Sequence, residues 1–319
     1  MADEEAEELA SLREEFQWVL KYEVHSVLKH LREVLQKFIS IFRKISHVKA
    51  EKFMLSSANG SDNIKGVITV FGDNICHADI TIRLHRHANQ SYRTFIKEDI
   101  PWKLQQVQDA GNHLQCAVDF IALKGEHTDF QTAQEVITLM SELMVCLQRA
   151  RNSLLSPKKY SLEELYRNKS MRAFNPPLPV DSIINFYVHH NKLVMSTYYL
   201  TPAQGPRPQK PSVTSIESKL GSTFEVGQYR YEVAAQYQVE CAVPWLNDVI
   251  TLFTVALQTC QQLKDKKCFD FVTQVFVQKK KLEKNSLFDE VQSKLKVMSS
   301  SKLSLLLIAV FDVYGANAV

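Results

Sequence analysis

Two apolar stripes, one toward each end of the chain, constrain its folding more than any other feature. In the first, Leu20, Val24, Val27, Leu31, Val34, Phe38, Ile41 and Ile45 advance by alternate steps of four and three, with charged and polar residues between them. That spacing keeps the apolar side chains on one face of a helix and forms a heptad seam. Upstream, Leu9, Leu12, Phe16 and Val19 keep the spacing but drift in phase, as a straight helix does against a strict heptad. In the second, CAVPWLNDVITLFTVALQTCQQLKDK (Cys241–Lys266), the same steps carry Leu246, Val249, Phe253, Ala256, Cys260 and Leu263. Each face needs a covering partner.

Between the stripes the pattern changes twice to a period of two. Ala78, Ile80, Ile82 and Leu84 alternate with polar residues, and together with 65–71 and 91–97 they predict an antiparallel meander. Gly72-Asp73-Asn74 and His87-Ala88-Asn89 are its expected turns. Helical spacing resumes at Asp99-Ile100-Pro101-Trp102, where Asp99 is placed to cap and Pro101 sits in a first turn. Leu104, Val107, Leu114, Val118 and Ile121 extend this seam to Gly125. A partner helix follows, with Thr132 and Glu135 spaced as a capping box and Met140, Leu143, Leu147, Ala150 and Leu154 as its stripe. After a short helix with a box at Ser161 and Glu164, and the breaker 175–179, a second β section runs to Val243. It contains a hairpin about His189-His190-Asn191-Lys192 and a Pro-rich loop at 202–211.

Each β section passes into a helix through Pro-Trp, at Pro101-Trp102 and at Pro244-Trp245. The expected class is therefore α+β: an antiparallel four-helix bundle built from both chain termini, plus a separate antiparallel β domain, in an elongated two-lobed molecule. Residues 1–48, 99–156 and 243–319 would form the bundle, and 49–98 and 157–242 the β domain. Acidic residues Asp3 to Glu8 open the first helix and Lys264, Lys266 and Lys267 close the last, which favours antiparallel packing weakly.

The acidic N-terminus lacks the basic and apolar regions of a secretory signal, so a cytoplasmic location is expected. The longest apolar run, Leu303 to Phe311, would rise about 14 Å as a helix against a hydrocarbon core of about 30 Å, so no transmembrane segment is expected. The six cysteines show no C-x-x-C pair; Cys116, Cys146 and Cys260 fall in helical patterns as buried thiols would. No nucleotide-binding glycine loop, hydrolase elbow, H-E-x-x-H or EF-hand occurs. His85 and His87, with His189 and His190 elsewhere, resemble a metal cluster only loosely and read better as solvated turn residues. A DNA-binding zipper needs a basic flank, and here it is acidic, so no nucleic-acid partner is expected. Lys279-Lys280-Lys281 has no interleaved aromatics and reads as a solvated face. Trp102 and Trp245 read as packing residues where a helix leaves a sheet. No catalytic, cofactor-binding or metal-binding residue is assigned.

The stretches EEFQWVLKYEVHSVLKHL (Glu14–Leu31), KGV (Lys65–Val67), WKLQQVQDAGNH (Trp102–His113), LMSELMVCLQRARN (Leu139–Asn152) and VECAVPWLNDVITLFTVALQTCQQLKDK (Val239–Lys266) resemble the Rogdi, or leucine zipper domain, family. The resemblance implies a helical-bundle domain made from both chain ends beside a β domain. It also implies likeness to the small subunit of the fungal RAVE complex, a regulator of vacuolar H⁺-ATPase assembly. The implied partners are rabconnectin-3 WD-repeat proteins and H⁺-ATPase subunits. The implied place is cytoplasmic, peripheral to acidic organelles or synaptic vesicles or at the nuclear envelope. The family provides no catalytic residue to carry over. Its chains end soon after the QQLKDK helix, whereas this chain continues over 268–319, Lys-rich and then apolar. That tail suggests a rival function: a peripheral trafficking protein touching acidic lipids through Lys residues and Leu303 to Phe311.

Overall fold

The structure, a computed structural model, describes residues 2–45, 50–57, 63–84, 87–125, 128–158, 160–203 and 219–266. Two compact units divide the chain, Met1–Leu20 with Gln131–Ala133 and Asp265–Val319 in one, Lys21–Phe130 with Gln134–Lys264 in the other. In the described part of the first, α1 (Ala2–Trp18) is the main element. A π turn at Val19–Glu23 follows it, and α2 (Val24–Ile45) comes next. The residues of the 268–319 tail, like Ile41 and Ile45 as side chains, lie outside what is described.

The second unit holds two antiparallel sheets and the remaining helices. Sheet A orders β1 (Glu51–Leu55), β2 (Ile64–Phe71), β3 (Asn74–Leu84), β4 (His87–Ile96) and β6 (Phe174–Asn175), with β5 (Trp102–Lys103) pairing β3. Sheet B orders β7 (Ser182–His189), β8 (Lys192–Pro202), β10 (Tyr229–Ala242) and β9 (Thr223–Val226). The class is thus α+β. Residues 193–200 of β8 are all buried, as befits a strand covered on both faces. The sheets meet where Ser56 and Glu240 exchange backbone hydrogen bonds of 3.0 and 2.9 Å, and where the Tyr199 hydroxyl donates to the Arg83 carbonyl at 2.8 Å.

The helices are α3 (Gln105–Phe120), continued by a π turn at Ile121–Gly125, α4 (Ala133–Leu155), the short α5 (Leu162–Tyr166) and α6 (Pro244–Lys264). α2 packs against both α3 and α6. The rings of Phe38 and Phe253 stack at 5.2 Å with an interplanar angle of 21°, so residues more than two hundred positions apart share one core.

Several local expectations are corrected. Trp102 and Lys103 form a strand, α3 begins only at Gln105, and its N-cap position is Leu104 with no side-chain cap, so Asp99 and Pro101 do not open the helix. The strand wins because Ile75 and Asn74 of β3 offer Trp102 and Lys103 a ladder, and the Leu104 N–H donates to Asp73 O at 2.7 Å. His87-Ala88-Asn89 belong to β4, whose His87 pairs with Leu84 of β3. The Gly72-Asp73 turn is present, with Gly72 at φ 63° between the paired Phe71 and Asn74. So is the capping box of α5: the Ser161 hydroxyl accepts from Glu164 N, and Glu164 accepts from Ser161 N.

Candidate functional site

The residues singled out in the sequence form a mostly buried seam and the helix entries at Trp102 and Trp245, and two junctions tie the helices and sheets together. Of the seam, Leu20, Val24, Leu31, Phe38, Leu104, Val107, Leu114, Val118, Leu143, Leu147, Leu246, Val249, Phe253 and Leu263 are buried. Val27 and Val34 are only half-buried, whereas Leu28 and Leu35 beside them are 1% and 0% exposed. At roughly 100° per residue, Leu28, Leu31, Leu35 and Phe38 lie within about 40° of Val24 around the axis, and the two valines lie about 60–80° off. A stripe this wide presents two candidate seams, and the larger leucines occupy its centre. Leu28 also lies over Gly125, where a β-carbon would stand 3.3 Å from Leu28 Cδ1.

The first junction gathers the ends of three helices about the β7–β8 hairpin. Gln106 of α3 donates through Nε2 to Ser153 O of α4 at 2.9 Å and to Val188 O of β7 at 2.8 Å, while its Oε1 accepts from Val188 N at 2.8 Å. His190, at φ 58° in the hairpin turn, donates its N–H to Leu154 O at 3.1 Å, and Val243 N donates to Asn191 O at 2.9 Å just before α6. One glutamine therefore satisfies three backbone groups that neither sheet nor helix can pair. Gln106→Leu keeps the shape and strands those groups, so the melting curve should shift by about 2–3 kcal/mol toward unfolding. A shift below about 0.5 kcal/mol would place the hydrogen bonds elsewhere.

At the second junction Trp102, 2% exposed, meets Phe174 of β6 at 6.0 Å and Phe186 of β7 edge-on at 5.3 Å. One indole thus joins the two sheets. Trp245 is buried at the start of α6, while Pro101 and Pro244 are exposed.

Four of the five described thiols are partly or fully packed. Cys241 and Cys260 are buried, and desolvation pushes them up to about 11 and about 12. Cys76 and Cys146 are half-buried and shifted upward by the same cause. Cys116 is exposed, against expectation, because it lies on the outer face of α3 between the buried Leu114 and Ala117. Cys268 lies outside the described residues. Burial also raises Tyr198, to about 12. These groups are neutral when folded and ionise more readily when unfolded, so their stabilisation is whole below about pH 9 and fades as pH rises toward the folded values. Thermal melts should be flat from pH 7 to 8.5 and then fall, by roughly 2 kcal/mol for Cys260 alone at pH 10.5. Melts that hold to pH 11 would contradict the burial of these groups.

Among the described residues no group of three or more His, Cys, Asp or Glu could hold a metal ion, and no helix is long and apolar enough to cross a membrane. His85 lies outside the described residues. His189 and His190 form an edge-to-face pair at 4.5 Å on the hairpin.

On the outer face of sheet A the register sets Met54, Val67 and Asp79 in one row and Lys65, Thr81 and Arg93 in the next. Arg93 grips Asp79 with two hydrogen bonds, Nε to Oδ1 at 2.8 Å and Nη2 to Oδ2 at 2.5 Å, and its guanidinium lies 5.0 Å from the centre of the Phe95 ring. The hydrogen bonds from Arg93 hold the Asp79 carboxyl below its usual range. An open groove of about 510 Å³ runs along these rows. Nothing in the sequence pattern marked it, because alternating polar residues on a strand look the same whether they face bulk water or a partner.

The described residues define an α+β protein in which helices from distant parts of the chain pack beside two antiparallel sheets. Residues 15–232 match the family described as "Rogdi leucine zipper containing protein", and the chain belongs to that family. It is 40% identical over 268 residues to the "Protein rogdi homolog" of Homo sapiens, covering 82% of this chain and 93% of that one. It is 38% identical over 270 residues to "Protein rogdi" of Drosophila melanogaster, covering 83% and 91%. The Danio rerio homologue is 39% identical over 265 residues, covering 80% and 92%.

Proposed function

We propose that this chain is a non-enzymatic adaptor, a scaffold subunit of a RAVE-like assembly containing rabconnectin-3 WD-repeat proteins. In that assembly it promotes joining of the vacuolar H⁺-ATPase sectors and so acidification of organelles and synaptic vesicles. Membership of the Rogdi family carries the reading. The packing of α2 on α6 through Phe38 and Phe253 supports it, because a core closed across the sequence suits a rigid platform. The organisation proposed with it is an antiparallel bundle of α2, α3, α4 and α6 beside a β domain formed by 49–98 and 157–242. Its place is cytoplasmic, at the surface of acidic organelles.

The experiment is the rate of vesicle reacidification, after a proton-pump inhibitor is washed out, in cells lacking the protein and in cells with it restored. The adaptor predicts slower recovery without the chain and rescue by it. Unchanged kinetics would overturn the proposal. The rival, a peripheral membrane protein acting through 268–319, requires flotation with acidic liposomes that is lost when those residues are removed.

A further inference from the structure

We propose that the outer face of sheet A, between β1 and β4, is a docking groove for a short, extended, acidic protein segment carrying one apolar anchor. Met54 is 75% exposed and Val67 39%, and the two are direct partners across the β1–β2 ladder, so their side chains form one apolar spot on an otherwise polar face. An apolar pair left open on the edge strand and its neighbour is the kind of surface that proteins usually cover or break with charge. Here charge surrounds the spot without interrupting it.

Strand alternation places Lys52, Lys65, Arg83 and Arg93 on this face, all exposed, against Asp79 as the one outward carboxylate of the described residues of β1–β4. Asp79 is already engaged by Arg93. The face therefore carries a surplus of positive charge around an apolar centre, and its complement is a negatively charged ligand with an apolar residue in the middle. Gly66, between the outward Lys65 and Val67, contributes to the groove lining. A ligand crossing from β1 to β4 spans three interstrand spacings, about 14 Å, which four or five residues of extended chain cover. The fitting pattern is thus an apolar residue with acidic residues one or two positions to either side. A lipid surface fits less well, since the Arg93–Asp79 pair stands inside the groove and puts a carboxylate where headgroup phosphates would lie.

The site deepens the adaptor reading by giving it one contact, and it is tested on the isolated full-length protein. Fluorescein-labelled dodecapeptides with a central Leu flanked by two Glu on each side serve as probes. In the controls Lys replaces Glu, or Ala replaces Leu. The expected result is saturable polarisation with the Glu/Leu peptides, about tenfold weaker binding for the Ala control and none for the Lys control. Met54→Glu and Lys65→Glu should each weaken binding at least about tenfold with unchanged melting temperature, and Val67→Thr, which preserves shape, should weaken it less. No saturable binding below millimolar peptide, equal binding to the Met54→Glu and Lys65→Glu variants, or displacement of the peptide by phosphatidylserine vesicles would each overturn the groove. If peptide binding fails while rabconnectin-type proteins still co-purify with the chain, the groove falls and the adaptor reading stands. If the peptide binds and those proteins do not co-purify, the reverse holds.

Discussion

Phe253→Asp should leave the protein without a cooperative folding transition at 25 °C. Phe253 is fully buried and stacks on Phe38, so removing the ring costs about 3–5 kcal/mol in lost burial and cavity. The carboxylate adds several kcal/mol more, because it would replace a fully buried ring stacked on Phe38 and lose its hydration there. The sum is comparable with the whole stability of an ordinary domain, about 5–15 kcal/mol. Phe253→Leu separates the two effects: it keeps an apolar group and should cost about 1–2 kcal/mol. Urea unfolding followed by circular dichroism measures both. A Phe253→Asp protein with the parent midpoint would show that α6 does not bury this face against α2.

Trp102→Ala is the second large effect, expected at about 3–5 kcal/mol. The indole contacts Phe174 from one sheet and Phe186 from the other, so its loss opens a cavity at the place where the two share a core. Trp102→Phe should recover more than half of that loss, because an aromatic edge still reaches Phe186. If the alanine variant instead unfolds in two separate steps, the sheets depend on Trp102 for their union. A loss below about 1 kcal/mol would contradict the burial seen for this side chain.

The helix spacing of 3.6 was legible in the sequence wherever the buried face was narrow, as in α6, whose buried Leu246, Val249, Phe253, Ala256, Cys260 and Leu263 can all be read directly. In α2 the same code was ambiguous, because Val27 and Leu28, and again Val34 and Leu35, are adjacent apolar residues and only packing decides which turns inward. The start of α3 was misplaced because Asp99 and Pro101 satisfy local capping rules that a tertiary ladder with β3 overrides. Gln106 escaped notice for a different reason. A glutamine near a helix start looks like a solvated residue, and its three partners, on Ser153 and Val188, are backbone groups far away in sequence. The groove beside Met54 and Val67 is a property of register, which fixes which strand faces share a row and is set by turns rather than by composition.

The measurement that bears most directly on the adaptor claim is affinity purification of the full chain from cell extract under mild cross-linking, followed by mass spectrometry. The account predicts rabconnectin-3 WD-repeat proteins and subunits of the vacuolar H⁺-ATPase in stoichiometric amounts, cross-linked to surface lysines of this chain. Recovery of the chain alone, or with neither class of protein, would contradict it.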